Sequence, residues 1–213
     1  MEKRKIALFT SHKPGIEVLR CLAGQTFQNF EISLVITDDP CSQLSNSERR
    51  MWRYGLKAEL KSEIESLANS LGIPIESTDV NQDSFVNRLG ELEIDGVLMC
   101  VFGQILKRRL LQKYQGRCWN IHPTYATRPW PSCQGGNPLE QLLESEVDSF
   151  RLVLHEVTSD IDGGKELLAS GPIVICPTDD VMALIAKYAC HSALVSRAFL
   201  TQLELLDLRE SNL

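Results

Sequence analysis

The stretch Cys118-Trp119-Asn120-Ile121-His122-Pro123-Thr124 has the pattern of a short strand that runs into a loop. Side chains two residues apart on a strand point to the same side, so Asn120 and His122 are expected to project together. Pro123 is expected to end the strand, because proline offers no N–H and restricts the residue before it. The stretch therefore predicts an amide and an imidazole at the carboxyl end of a strand, where ligands bind in open α/β sheets.

A later segment supplies a carboxylate. Residues 150–155 form an apolar, β-prone run, and Asp162-Gly163-Gly164 after it has the composition of a tight polar turn. An amide, an imidazole and a carboxylate together suit acyl transfer to an amine. The amide and the imidazole can stabilise a developing oxyanion, and the carboxylate can move protons.

Further apolar runs alternate with helical patterns on both sides of these segments. Strands are predicted at residues 6–10, 32–37, 73–75, 96–101 and 173–175, and Pro74 marks the third of them as an edge strand. Helices are predicted at 16–22, 52–71, 85–92, 106–114, from 139, and from an N-cap at Thr178 to about 206. Loops are expected at 11–15 and 123–138, and a polar segment at 41–50. This alternation predicts one α/β domain over residues 1–213, with a mostly parallel twisted sheet and helices on both faces.

Composition narrows the function classes. The chain has 22 Lys+Arg against 28 Asp+Glu, a net charge of −6, which argues against a nucleic-acid partner. Its seven cysteines form no CxxC pair and predict free thiols in a reducing compartment. No apolar run reaches membrane-spanning length, so no membrane partner and a cytoplasmic location are expected. The histidines and cysteines lack ligand spacing, so no metal is expected.

Three motifs together resemble the folate-dependent formyltransferase family, which includes glycinamide ribonucleotide, methionyl-tRNA and sugar-nucleotide N-formyltransferases. They are Asn-Ile-His-Pro at 120–123, His-x-Val-Thr-x-x-x-Asp-Gly-Gly at 155–164, and Val-Phe-Gly-Gln-Ile-Leu at 101–106. The resemblance covers most of the chain. It implies a single Rossmann-like formyltransferase domain, 10-formyltetrahydrofolate as formyl donor and a small-molecule amine as acceptor. The resemblance is compatible with a homodimer and does not decide the oligomeric state.

The resemblance also implies roles for individual residues. Asn120 and His122 would hold the oxyanion, and Asp162 would accept the amine's proton through a water and fix the protonation state of His122. His155 would support the trio, either by orienting Asp162 or by packing beneath the site. Each has a structural alternative: His122 as a strand-end cap, Asn120 as a residue bonded to its own backbone, and Asp162 as an ordinary turn residue. The folate pocket is expected between Phe102, Gly103, Gln104, Ile105 and Leu106 on one side and Val157, Thr158, Ser159 and Asp160 on the other.

The acceptor is predicted from a difference between this sequence and the glycinamide ribonucleotide formyltransferases. Glycinamide ribonucleotide formyltransferases carry a Gly-Ser-Asn phosphate loop after the first strand, whereas residues 10–15 here lack such a nest of backbone donors. Lys13 and Arg128 are expected to flank the pocket. We therefore predict a nucleotide-linked amino sugar or an aminoacyl or peptidyl amine as acceptor. Tyr125 and Trp130 would either pack against it or pin the 123–138 loop.

Three alternatives remain open at this point. The first is phosphoribosylglycinamide formylation in purine synthesis, the second is formyltetrahydrofolate hydrolysis, and the third is a non-catalytic folate-binding module. Methionyl-tRNA formylation is disfavoured, because that branch carries an additional C-terminal domain and no tRNA-binding domain is expected here.

Overall fold

The computed structural model describes residues 2–39, 51–55 and 57–210. The polar segment predicted at 41–50 lies outside this range. Strands are β1 (Arg4–Thr10), β2 (Phe30–Ile36), β3 (Ile75–Glu76), β4 (Ile94–Cys100), β5 (Cys118–Tyr125), β6 (Ser149–Glu156), β7 (Glu166–Ala169) and β8 (Ile173–Val174). Helices are α1 (His12–Ala23), α2 (Lys57–Ser70), α3 (Asp83–Glu91), α4 (Arg108–Lys113), α5 (Pro138–Glu144) and α6 (Val181–Glu210).

The strands form one sheet in the order β3-β2-β1-β4-β5-β6-β7, with β8 also paired to β6. The pairings from β3 to β5 are parallel, and those made by β6 are antiparallel. One apolar cluster joins a face of the sheet to α1, α2, α5 and α6, and a second joins the other face to α3 and α4. The predicted α/β class, with a mostly parallel sheet and helices on both faces, is confirmed, as is the edge position of β3.

Strand β5 continues through Pro123 to Tyr125, so the predicted stop at this proline is wrong. The Val157 N–H donates to the Cys118 carbonyl (2.8 Å), which fixes the alternation of backbone groups along the antiparallel pair β5–β6. By this alternation the Pro123 nitrogen faces away from β6, toward the side where β4 has ended at Cys100. The missing N–H therefore breaks no bond of the sheet.

Helix α1 begins directly after β1, at the place where a loop over residues 11–15 was expected. Pro14 lies in the first turn, where a backbone N–H has no intrahelical partner, so it does not oppose the helix. Gly15 lets α1 pass close to β1, because a Cβ there would lie 3.2 Å from the Thr10 Cβ. The compact turn places the N-terminus of α1 at the carboxyl edge of the sheet.

Three further boundaries differ from the predictions. A 3-10 turn covers Met51–Arg53, and α2 begins only at Lys57, because Gly55 adopts a φ of +88° between them. Helix α6 is capped by Asp180 and not by Thr178, since the Asp180 carboxylate accepts a hydrogen bond from the Ala183 N–H at 2.8 Å. The predicted strands omitted β7. Among the described residues, none of the helices is both long and apolar enough to cross a membrane.

Candidate active site

Asn120 and His122 line the same cavity, as their spacing on one strand predicts. The cavity has a volume of about 360 Å³ and lies at the carboxyl edge of the parallel strands. Met99 and Val101, at the end of β4, form part of its wall. This is the edge at which open α/β sheets bind their ligands, and the volume suits a small organic molecule.

Asp162 reaches the same cavity from the turn between β6 and β7. Its carboxylate Oδ1 lies 3.6 Å from Nδ1 of His122 and 3.9 Å from Nε2 of His155. The other oxygen, Oδ2, accepts a hydrogen bond from the Gly135 N–H at 3.1 Å. Asp162 adopts a φ of +50°, in the left-handed region that aspartate enters more readily than most residues other than glycine. The structure therefore gathers the amide, both imidazoles and the carboxylate in one place.

The hydrogen bonds of His122 define which of its nitrogens can act. Nε2 lies 2.9 Å from the Cys133 carbonyl oxygen, which can only accept, so Nε2 carries a proton. Nδ1 is the nitrogen on the side of Asp162. His122 can thus donate into the cavity only from Nδ1, and only when both nitrogens are protonated. The Asp162 carboxylate is placed to exchange that proton.

His155 is buried and contacts the amide of Asn120. Its Nδ1 donates to the Glu156 carbonyl at 2.9 Å, which leaves Nε2 as an acceptor for the Asn120 Nδ2–H at 3.3 Å. Burial lowers the pKa of His155, so the neutral form that this arrangement needs is favoured. Asp162 Oδ1, at 3.9 Å from Nε2, is beyond hydrogen-bond distance. The contact of His155 thus fixes the Asn120 amide and leaves its second N–H for another acceptor.

The two segments expected to form a folate pocket face this cavity with one exception. Residues 102–106 line it, as do Val157, Thr158 and Asp160, but Ser159 does not and its side chain is exposed. The amide of Gln104 is engaged elsewhere, with the Val80 N–H and the Thr78 carbonyl. Ile105 and Ile161 remain 57% and 52% exposed at the rim. Large apolar side chains exposed beside a cavity can contact an apolar part of a ligand.

Trp130 and Tyr125 hold the loop that follows β5. The Trp130 Nε1–H donates to the Gly164 carbonyl at 2.7 Å, and its ring packs on His155 with the centroids 4.8 Å apart. The Tyr125 hydroxyl lies 2.7 Å from Ser145 Oγ. Of the two interpretations offered for these aromatics, the geometry favours pinning of the loop.

Several groups at the site are not among the residues predicted from the sequence. They are the Cys133 carbonyl, the Gly135 N–H, and the side chains of Asp38 and Tyr188, which line the cavity. The glycine pair at 135–136 was the one available signal, because glycines allow a backbone to approach a ligand or a carboxylate closely. The other contacts join residues far apart in sequence and leave no local pattern.

The surroundings of α1 differ from an anion-binding nest. Lys13 and Arg128 are exposed and do not line the cavity, and Arg128 stacks on Tyr125 with its guanidinium carbon 3.9 Å from the ring centre. His12 is buried beneath residues 51–55, where its Nε2 bonds the Tyr54 carbonyl at 2.7 Å. Burial lowers the pKa of His12 to about 4, so this side chain brings no positive charge near pH 7.

Within residues 2–39, 51–55 and 57–210, no group of three or more His, Cys, Asp or Glu side chains is arranged to hold a metal ion.

The sequence is similar to known formyl transferases and to trifunctional purine biosynthetic proteins. The family model described as formyl transferase matches residues 4–197. The trifunctional purine biosynthetic protein adenosine-3 of Homo sapiens is 38% identical over 80 residues, which are 38% of this chain and 8% of that protein. The Gallus gallus protein of the same name is 29% identical over 144 residues, 62% of this chain and 14% of that protein. The chain thus spans about 8–14% of the length of these relatives.

Solved structures share the fold. Phosphoribosylglycinamide formyltransferase from Bacillus halodurans superposes with a TM-score of 0.70 at 22% identity, over 94% of this chain and 95% of that one. A formyltetrahydrofolate deformylase from Pseudomonas syringae pv. tomato superposes with a TM-score of 0.68 at 17% identity, over 93% of this chain and 60% of that one. The same architecture therefore supports both a transferase and a deformylase among the matched proteins.

Proposed function

Because the chain belongs to the formyl transferase family, we propose that it transfers a formyl group from 10-formyltetrahydrofolate to the primary amine of a small molecule. One observation carries the proposal. Asn120, His122 and Asp162 converge on a cavity that the apolar side chains of Phe102, Ile105 and Ile161 also line. Donors for an oxyanion, a proton acceptor and a slot for a flat ring system therefore meet in one place.

In the proposed reaction, the amine nitrogen attacks the formyl carbon and the carbonyl electron pair moves to oxygen. The second Nδ2–H of Asn120 and the Nδ1–H of a doubly protonated His122 donate to the oxyanion that forms. Each such donor is worth about 10²–10³ in rate when it is held in advance at the place where charge develops. The contacts of Asn120 with His155 and of His122 with the Cys133 carbonyl supply that preorganisation.

Asp162 completes the proton transfers. The attacking amine must lose a proton, and the nitrogen that leaves on the folate must gain one when its bond to carbon breaks. The Asp162 carboxylate accepts the first proton through a water and returns a proton to the leaving nitrogen by way of His122, 3.6 Å away. Such positioned acid–base groups contribute about 10²–10⁴-fold.

Folate binding is the first test of this proposal. The fused ring would lie between residues 102–106 and 157–162, with Ile105 and Ile161 against the part nearer to solvent. Titration calorimetry with a non-reactive 10-formyl folate analogue is expected to give saturable binding. Absence of binding at millimolar ligand would contradict the transferase proposal. It would also contradict the alternative of a non-catalytic folate-binding module.

For the acceptor, the comparisons favour phosphoribosylglycinamide over the amino-sugar or aminoacyl amine predicted from the sequence. The matched enzymes from Bacillus halodurans and other bacteria carry phosphoribosylglycinamide in their names. We therefore propose it as the acceptor. The larger amines stay as a second candidate because of the α1 N-terminus, where Pro14 lacks an N–H and His12 is buried and neutral. Neither feature helps to bind a phosphate.

A side-by-side assay separates these acceptors. With saturating formyl donor, a kcat/KM on the order of 10⁴ M⁻¹s⁻¹ or more for phosphoribosylglycinamide would support it as substrate. Formylation of only the amino-sugar or aminoacyl amines would support the second candidate. Formate release without any amine would indicate hydrolysis of formyltetrahydrofolate, the alternative that is in line with the structural match to a deformylase.

A further inference from the structure

We propose that Asp38 is a positioning residue for the donor side of the cavity. Its carboxylate holds the backbone of residues 102–106 in the conformation that receives the folate ring. This inference rests on the proposed function, because it assigns to Asp38 the shaping of the folate site. Asp38 follows β2, is 2% exposed and lines the cavity, yet it takes no part in the chemistry described above.

The contacts of Asp38 join two separate parts of the chain. Oδ2 accepts hydrogen bonds from the Gly103 N–H at 2.5 Å and from the Ser11 hydroxyl at 3.0 Å. The Asp38 N–H in turn donates to Ser11 Oγ at 2.9 Å. One carboxylate oxygen therefore connects the start of α1 to the loop after β4. Bonds of this kind to a charged acceptor are stronger than neutral ones, and a buried carboxylate requires them.

The lack of a side chain at Gly103 leaves the space that this carboxylate occupies. A Cβ on Gly103 would lie 2.6 Å from both oxygens of Asp38 and 2.7 Å from their carbon. Only a residue without a side chain lets the loop approach the carboxylate closely enough for its N–H to bond. Asp38 and Gly103, 65 positions apart, are thus both required for this contact.

The contact preorganises the loop before the ligand arrives. Residues 102, 104 and 106 are each less than one-tenth exposed, while Ile105 between them faces the solvent at the rim. A loop whose backbone is already fixed loses little conformational entropy on binding, and this strengthens affinity without any new ligand contact. If the carboxylate is lost, the ligand must order the loop itself.

The test measures binding of 5-formyltetrahydrofolate, a stable reduced folate, by titration calorimetry. Asp38→Ala is expected to weaken binding by about 10- to 100-fold, the range that corresponds to one hydrogen bond to a charged group. Asp38→Asn should recover part of this affinity, because an amide oxygen can accept the same two bonds without the carboxylate's charge. Asp39→Ala removes the same charge one residue further along and is expected to stay within about twofold of wild type.

A double mutant tests the shape argument independently of charge. Gly103→Ala alone should weaken folate binding, because its Cβ displaces the carboxylate. In Asp38→Ala/Gly103→Ala the clash is absent, so the double variant should bind no more weakly than Asp38→Ala. Effects that simply add would overturn the inference, since residues in direct contact are expected to couple.

The outcomes also separate this inference from the proposed function. Wild-type protein that fails to bind the folate would overturn both. Wild-type binding together with equally tight binding by Asp38→Ala would overturn the positioning role alone. In turnover assays the KM for the donor should rise in Asp38→Ala with the KM for the amine unchanged, whereas general loss of structure would affect both.

Discussion

Substitution of Gly164 by alanine tests whether the turn that carries Asp162 must pass close to β6. A Cβ at this position would overlap the Glu156 carbonyl oxygen and lie 2.9 Å from the Glu156 carbonyl carbon. Non-bonded carbons prefer a separation of about 3.5 Å or more, which alone requires the turn to move by about 0.6 Å, and the overlap with the oxygen requires a larger shift. The two nearest neighbours of the new methyl are backbone atoms, which cannot rotate away. The displacement therefore reaches Asp162, two residues before.

A shift of about 1 Å in a catalytic group can lower the rate by about 10²-fold. We expect kcat/KM of Gly164→Ala to fall by about 10- to 100-fold in the formyl-transfer assay, with a loss of about 1–3 kcal/mol in the free energy of unfolding. Gly171→Ala is the matched control, because nothing lies within 4 Å of a Cβ at that position. If Gly164→Ala were as active as Gly171→Ala, the turn would not control the site.

Three further predictions concern single side chains. His122→Ala and Asp162→Asn should each lower turnover by at least about 10²-fold with unchanged circular dichroism, and near-wild-type rates would show that the motif has no catalytic role. The folded-state pKa of His12, about 4, lies below its unfolded value, so the unfolded chain takes up the proton first as pH falls. Stability should therefore drop by up to about 3 kcal/mol between pH 6.5 and 4 in denaturant titrations, and this slope should flatten in His12→Gln. Tyr188→Phe leaves the Ile121 carbonyl, bonded at 2.7 Å, without its donor and should cost about 1–3 kcal/mol; an unchanged calorimetric melting temperature would refute this.

Local patterns predicted much of the fold. The apolar run of β1 alternates between two clusters, with Ile6 and Leu8 in one and Ala7 and Phe9 in the other, which is the signature of a strand buried on both faces. The shared direction of Asn120 and His122 follows from the period of a strand. Such features depend on neighbours within a few residues, and they can be read from the sequence alone.

The parts that were missed depend on distant partners. Pro123 stays in β5 because β4 ends before it, and this cannot be known without the order of the strands. β7 has four residues, all partly exposed, and is defined mainly by its pairing with β6. Asp38 gains its importance only from a glycine 65 positions later. Such positions carry no local signal, because their conformation is decided by tertiary contacts.

The indole of Trp130 also gives the molecule an optical probe of its own site. Its ring lies 4.8 Å from that of His155 and 6.2 Å from that of His122, and its N–H is bonded to the turn that carries Asp162. A protonated imidazole quenches the fluorescence of an adjacent indole more strongly than a neutral one does. The emission of Trp130, isolated as the difference between wild type and Trp130→Phe, would therefore report any change in the charge of these two imidazoles.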